Sequence, residues 1–263
     1  YCNTRICKNR HSNTVYAMKV YKKAELLRNK NKVIEHVTNA YKTLSMVLHP
    51  FIIELKGVNC TDPVSLYYLL EHIPGGNLNS LINLKKGLPL EHIKFYLSSL
   101  VTVIEYLHKK NIIYRNLKPE NVLINSDGYI KLAGFNFCKI LNEELTHTLC
   151  CTPESSAPEM IHTTGHNKGV DFWGLGIILY EMLTGFTPFM DHDPMNIYHK
   201  INKGKVIFPK GTNKNIKMII KRFLTVDMTK RLGCSKNGIM EIIEQPFFKN
   251  FDWKGLLYRT LSP

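Results

Sequence analysis

The stretch VDFWGLGIILYEML at residues 170–183 is apolar on every side of a helix, and it limits what this chain can become. A helix without a polar face must be buried in a protein core or in lipid. This one is shorter than the roughly 20 residues that cross a bilayer, and no other apolar run in the chain approaches that length. The chain is therefore read as having no transmembrane segment, and residues 170–183 as a helix enclosed by other elements. The 263 residues suffice for one large domain or for two lobes with proper cores.

The rest of the pattern divides in two. Residues 14–20 (TVYAMKV), 51–59 (FIIELKGVN) and 65–71 (SLYYLLE) are rich in β-branched and aromatic residues and read as strands. Between the first two, VIEHVTNAYKTLSMVL places Ile34, Val37, Tyr41, Leu44 and Leu48 at helical spacing. IPGG at 73–76 breaks the strand pattern, and helices dominate afterwards. In HIKFYLSSLVTVIEYLHKK, Ile93, Leu97, Leu100, Ile104 and Leu107 share one face. The expectation is an α+β, two-lobed fold: a small β-rich lobe over 1–72, a hinge near 72, and a larger, mainly helical lobe over 73–263.

Thirty-five Lys and Arg against 21 Asp and Glu give a formal net charge of +14, a field that favours acidic partners, anionic lipid or nucleic acid. The basic residues are dispersed, however. The densest run, YKKAELLRNKNK at 21–32, reads as a solvated, partly helical face, with no stacking aromatics beside it. Nucleic acid is not an expected partner. Seven cysteines, an odd number without zinc-ligand spacing, point to reduced thiols and a cytoplasmic setting. The adjacent Cys150 and Cys151 read as small loop side chains, with a redox pair as the sharper alternative. The run Asp191-His192-Asp193 invites a metal, but capping of the helix after Pro194 is the more ordinary role. With no initiator Met and no signal-like start, the sequence reads as a piece of something longer.

Eight pieces occur in order: YAMK, HPFI, EHIPGGNL, YRNLKPENVLI, GYIKLAGFNF, TLCCTPESSAPE, VDFWGLG and KRLGCSKNG. The set resembles a eukaryotic protein kinase domain. TLC-TPE, FFKNFDW and KRLGCSKNG are similar to the cyclic-nucleotide-dependent branch of the AGC group. The likeness runs from about Tyr16 to the last residue. It implies ATP bound at a hinge beneath a glycine-rich loop, and protein substrates. An active member needs that loop, a strand Lys paired with a helix Glu, a catalytic-loop Asp, a metal-holding Asn and a D-F-G Asp on Mg²⁺.

Compared position by position, much of that machinery is altered. Lys19 in YAMK matches the phosphate anchor; a solvated strand lysine is its plain alternative. The helix Glu falls on Ala40, and Glu35 lies five residues earlier, about 140° around the helix. Asn116 in YRNLKPEN stands at the Asp that accepts the substrate proton. An amide orients a hydroxyl but has no basicity to spare, which forfeits about 10²–10⁴ in rate, or roughly 3–5 kcal/mol. Gly134 stands at the D-F-G Asp, one residue before Phe135. That leaves Mg²⁺ with Asn121 as its one confident protein ligand; Asn136 lies beyond a bulky Phe. Cys2 falls near the third glycine of the phosphate loop, and no glycine precedes Gly57.

Other matching positions are kept. Leu44, Leu55, Tyr114 and Phe135 match the regulatory spine. Ala17, Leu78 and Leu123 match residues that sandwich adenine, with Leu70 as gatekeeper and Glu71 and Ile73 as hinge groups. Lys118 and Asn121 flank Asn116. Glu159 and Arg231 match an ion pair, and Asp171 the group that holds the catalytic loop. Thr148 matches the activation-loop phosphothreonine, set by an upstream kinase, and His36, Arg115 and Lys139 the basic pocket that receives it. Glu120 and Glu181 match acids that read basic peptides, whereas Asn77 replaces another such acid. The resulting expectation is a pseudokinase, a regulatory or scaffolding module that binds a partner peptide and, with the slot kept, ATP. A slow or unconventional Ser/Thr kinase is the alternative.

Overall fold

The computed structural model describes residues 2–28, 30–141, 145–147 and 152–263. The elements run β1 (Cys2–Lys8), β2 (Val15–Lys22), α1 (Lys23–Arg28), α2 (Lys30–Met46), β3 (Leu55–Thr61), β4 (Ser65–Glu71), α3 (Leu78–Lys85), α4 (Leu90–Lys109) and β5 (Ile112–Ile113). They continue with β6 (Val122–Ile124), β7 (Ile130–Leu132), β8 (Lys139–Ile140), α5 (Pro158–Ile161), α6 (Gly169–Thr184), α7 (Pro194–Lys203), α8 (Lys214–Phe223), α9 (Ile239–Ile243) and α10 (Trp253–Leu257).

The first lobe is an antiparallel sheet of order β1-β2-β4-β3. Its alternation puts Tyr21 and Tyr68 on one face, where they bury with Leu26 and Val37 in a small core. The two rings meet edge to face at 5.3 Å, the geometry favoured by the ring quadrupoles. Register sets Lys19 opposite Thr4 and Tyr68, and Ala17 opposite Leu70. Two details depart from the sequence expectation. The strand expected over 51–59 begins only at Leu55, because residues 51–54 are drawn to the other lobe. There Leu132 N donates to Phe51 O at 2.7 Å and Ile53 N to Leu132 O at 2.9 Å. Strand β1 carries no apolar alternation and is mostly exposed, so its sequence gave no strand signal.

The IPGG turn links the lobes. Gly75 N donates to Ile124 O at 2.9 Å, and Ile124 N to Gly76 O at 2.9 Å. A Cβ at Gly75 would overlap the Ile124 carbonyl. Beyond the turn, α4 and α6 form the centre of the second lobe, and α6 is buried over nearly its whole length. At its heart Trp173 stacks on Phe189 at 5.7 Å, with the Arg231 guanidinium 5.2 Å from the Trp173 ring. Arg231 is fully buried and grips Glu159 with both arms, at 2.6 and 2.9 Å, while Nη1 also donates to Gly169 O. This one pair ties α5 to the start of α6.

Asp193 caps α7, accepting from Met195 N at 3.0 Å, and Asp191 pairs with Lys200 at 2.8 Å, which gives this acidic run the capping role. Among the described residues no group of three or more His, Cys, Asp or Glu could hold a metal, and no helix is long and apolar enough to cross a membrane. Cys2, Cys7, Cys138 and Cys234 are free thiols; Cys150 and Cys151 lie outside the described residues.

Removing one half of the Arg231–Glu159 pair strands a buried charge. Arg231→Leu is expected to cost about 3–5 kcal/mol in urea denaturation, and the Arg231→Leu/Glu159→Leu double variant to cost less than the sum of the two singles.

Candidate functional site

The loop Tyr114–Arg115–Asn116 owes its shape to Asp171 in the first turn of α6. The buried carboxylate accepts from Tyr114 N at 2.9 Å, Arg115 N at 2.7 Å and the His108 ring at 2.7 Å. Arg115 sits at φ +62°, a left-handed conformation that disfavours a side chain. The two bonds at its flank offset that strain. Tyr114 then meets Phe135 edge to face at 5.3 Å. Both rings lie in the main core with Leu44, and Leu55 packs against it. Leu44, Leu55, Tyr114 and Phe135, matched to the spine by sequence, thus lie in or against one apolar core.

Around Asn116 three amide groups interlock. Asn116 Nδ2 donates to Gly134 O at 3.1 Å, and Asn121 Nδ2 donates to Asn116 O at 2.8 Å. Gly134 lies at φ +74°, and a Cβ there would sit 2.5 Å from both Cγ and Oδ1 of Asn121. The Asn121 side chain thus occupies the space that a residue at 134 would need. Lys118 is half-buried beside this cluster, and its carbonyl accepts from Asn121 N at 3.0 Å.

Across the cleft, β2 presents Lys19, half-buried, and burial lowers its pKa from the usual lysine value. Among the described residues no carboxylate forms an ion pair with it. Ala40 is buried against the core on α2, and Glu35 is exposed, so neither supplies the missing charge. Ala17 and Leu123 pack against the same core from the two lobes, behind buried Leu70. Glu71 is fixed by Lys131 at 2.7 Å and by Glu54 N at 2.7 Å, a clamp from hinge to β7 that no motif in the sequence indicated. Ile73 has no hydrogen-bonded partner on its backbone among the described residues, so these groups are available to a ligand.

The three basic residues matched to the phosphothreonine pocket each have a partner of their own. Arg115 Nε donates to Phe137 O at 2.8 Å, and Lys139 Nζ to Thr146 Oγ1 at 2.7 Å. His36 packs its ring 4.8 Å from Phe137. The structure adds His166, which no motif in the sequence pointed to. It is buried, bridged to Thr146 by two backbone bonds of 2.9 Å, and 3.4 Å from Arg115 Nη1. Burial, then the charges of Arg115 and Lys139, push its pKa down to about 4. Thr148 lies outside the described residues.

Three acids lie near one another at Glu181. Burial and the nearby charges of Glu120 and Glu154 raise Glu181 to about 7. Glu154, which also accepts from Thr187 Oγ1 at 2.7 Å, is a third acid that the sequence reading missed. Asn77 has become a helix cap, accepting from Ser80 N at 2.9 Å.

A small sheet hinged to a helical lobe, with a loop gripped by a buried carboxylate, is the architecture of a protein kinase. The chain belongs to that family: the protein kinase domain matches residues 1–248. It is 42% identical over 98% of its length to the cAMP-dependent protein kinase catalytic subunit PRKX of Homo sapiens, covering 71% of that protein. It is 40% identical to the cAMP-dependent protein kinase catalytic subunit 3 of Drosophila melanogaster, over 98% of this chain and 44% of that one. A catalytic subunit of Dictyostelium discoideum is 41% identical over 97% of this chain and 39% of the relative. The similarity places the chain among AGC kinases of the cAMP-dependent type.

The family normally binds ATP with Mg²⁺. At the matching positions of this chain the donor set does not fit Mg²⁺, which wants carboxylates in near-octahedral array. Gly134 has no donor, its space is filled by Asn121, and Asn116 turns its amide nitrogen toward Gly134 O.

His166 and His49, the latter also lowered to about 4 by burial and Lys131, should dominate acid sensitivity. Their folded pKa values lie below the unfolded 6.5. Stability is therefore full above pH 6.5 and lost as pH falls toward 4, by on the order of 2–3 kcal/mol per group. Urea titrations of His166→Gln should show a shallower loss between pH 6.5 and 4 than the parent.

Proposed function

We propose that this chain is a kinase-fold module that does not transfer phosphate at a useful rate and works by binding, as a regulatory or scaffolding unit. The observation that carries this reading is the filled space at Gly134. The position of the metal carboxylate is occupied by an amide that is itself bonded to the loop. Loss of the base at Asn116 alone would slow the reaction. Loss of the metal ligand and of the partner for Lys19 removes the electrostatics on which phosphoryl transfer chiefly relies.

The slot formed by Ala17, Leu70, Glu71, Ile73 and Leu123 supports binding of ATP, with Lys19 toward its phosphates. With one lobe over 1–72 and another over 73–263, joined at the IPGG turn, that slot would lie at the hinge. Glu120, Glu154 and Glu181 support a partner carrying a basic peptide, which a cluster of three acids would attract. Phosphorylation of Thr148 by an upstream kinase, received by His36, Arg115 and Lys139, would change this surface.

A slow Ser/Thr kinase is the second reading, favoured by the spine residues in or against one apolar core and by retention of Lys19, Lys118 and Asn121. A phosphate-transfer assay with a basic peptide separates the two. Incorporation is expected to match that of Lys19→Ala; turnover well above that variant sinks the binding-only reading.

The same peptide should bind more tightly at pH 8 than at pH 6 in calorimetry, because Glu181 carries its charge only above about 7. Glu181→Gln should flatten that dependence. In the free protein the sign is opposite: a carboxyl raised above its unfolded value of 4.5 loses stability as pH climbs from 4.5 through 7. Glu181→Gln should therefore raise Tm at pH 8 more than at pH 5.

A further inference from the structure

We propose that the cleft takes a nucleoside triphosphate as the free anion, and that a divalent cation weakens its binding. This rests on the nucleotide reading above and concerns how the phosphates are held. In an active member of the fold, carboxylates stand at three positions around the phosphates: one pairs with the lysine, one holds the metal and one accepts the substrate proton. A triphosphate stripped of its metal would face their repulsion. In this chain the same positions are Ala40, Asn116 and Gly134, and none carries a charge. The lysines at the other positions, Lys19 and Lys118, remain. The sign of the phosphate end has therefore changed from one that needs a metal to one that attracts the bare anion.

Two geometric facts support the change. Lys19 is half-buried and forms no ion pair with a carboxylate among the described residues, an arrangement that costs free energy until an anion supplies the missing charge. The amide nitrogens of Asn116 and Asn121 are committed to Gly134 O and Asn116 O, and the space between them excludes a side chain at 134. A cation brought in on the nucleotide finds no carboxylate there. It neutralises phosphate charge that the two lysines would otherwise use. The nearest acids of the loop region are spoken for or turned away: Asp171 holds the loop backbone, and Glu120 is exposed.

The test is calorimetry and thermal shift on the full chain, with ATP in EDTA and with ATP in excess Mg²⁺. Binding is expected to be at least about tenfold tighter in EDTA, the factor that one well-placed charge contact is worth. A formal net charge of +14 attracts any polyanion to the surface, so Lys19→Ala serves as the control for the cleft and should lose the EDTA binding. Asn116→Asp, nearly isosteric and checked for folding by circular dichroism, should weaken binding in EDTA by restoring one negative charge. Equal or tighter binding with Mg²⁺ overturns the inference and leaves the nucleotide reading standing. Binding that survives Lys19→Ala overturns it as a property of the cleft. No binding in either buffer removes both the inference and the nucleotide reading, while the binding-only function is judged by the transfer assay alone.

Discussion

Asp171 is the constraint on which the site depends. It sits at the first turn of a helix buried on every side, where the helix dipole favours a carboxylate, and it spends its oxygens on two loop amides and one imidazole. Those bonds hold Arg115 in a left-handed conformation it would otherwise avoid. They fix where Asn116, Lys118 and Asn121 stand, whatever chemistry those side chains can perform. The grip is anchored in the core, so the loop can keep its form while its reactive letters change.

This explains why a preserved frame and an altered centre coexist. Arg231–Glu159, the Trp173–Phe189 stack and the Tyr114–Phe135 contact are core interactions; each would cost kcal/mol of stability if lost. Asn116, Gly134 and Ala40 lie where the fold asks little of them. Ala40 fits a buried helix face without a charge to satisfy, and Gly134 adopts φ +74° without strain. Replacing acids at 116 and 134 removes charge from a partly buried cleft, whereas Ala40 leaves Lys19 without a carboxylate partner among the described residues.

Much of this was legible in the sequence, for identifiable reasons. The helix over Gly169–Thr184 and the strand Ser65–Glu71 announced themselves by apolar content and by bounding turns. The altered positions were readable because ordered motifs fix their place by counting. Strand β1 was not, since its residues are mostly exposed and show no period of two. Residues 51–54 misled because their apolar side chains serve the neighbouring lobe, and periodicity does not say which layer is buried against which. His166, Glu154 and Lys131 belong to contacts made across the fold, and no spacing along the chain encodes the 3.4 Å approach of His166 to Arg115.

The three altered positions also act on one another. A carboxylate side chain at 134 would need space that the Asn121 amide now takes, since a Cβ there would lie 2.5 Å from Asn121 Oδ1. Without a carboxylate at 134, a base at 116 would lack the metal-borne charge neutralisation on which phosphoryl transfer chiefly relies. Restoring Asp at 116 or 134 singly therefore meets an environment shaped around its absence. At 134 it meets both a left-handed backbone and the Asn121 side chain. Groups that act as a unit are non-additive, so one restored carboxylate alone does not rebuild the set.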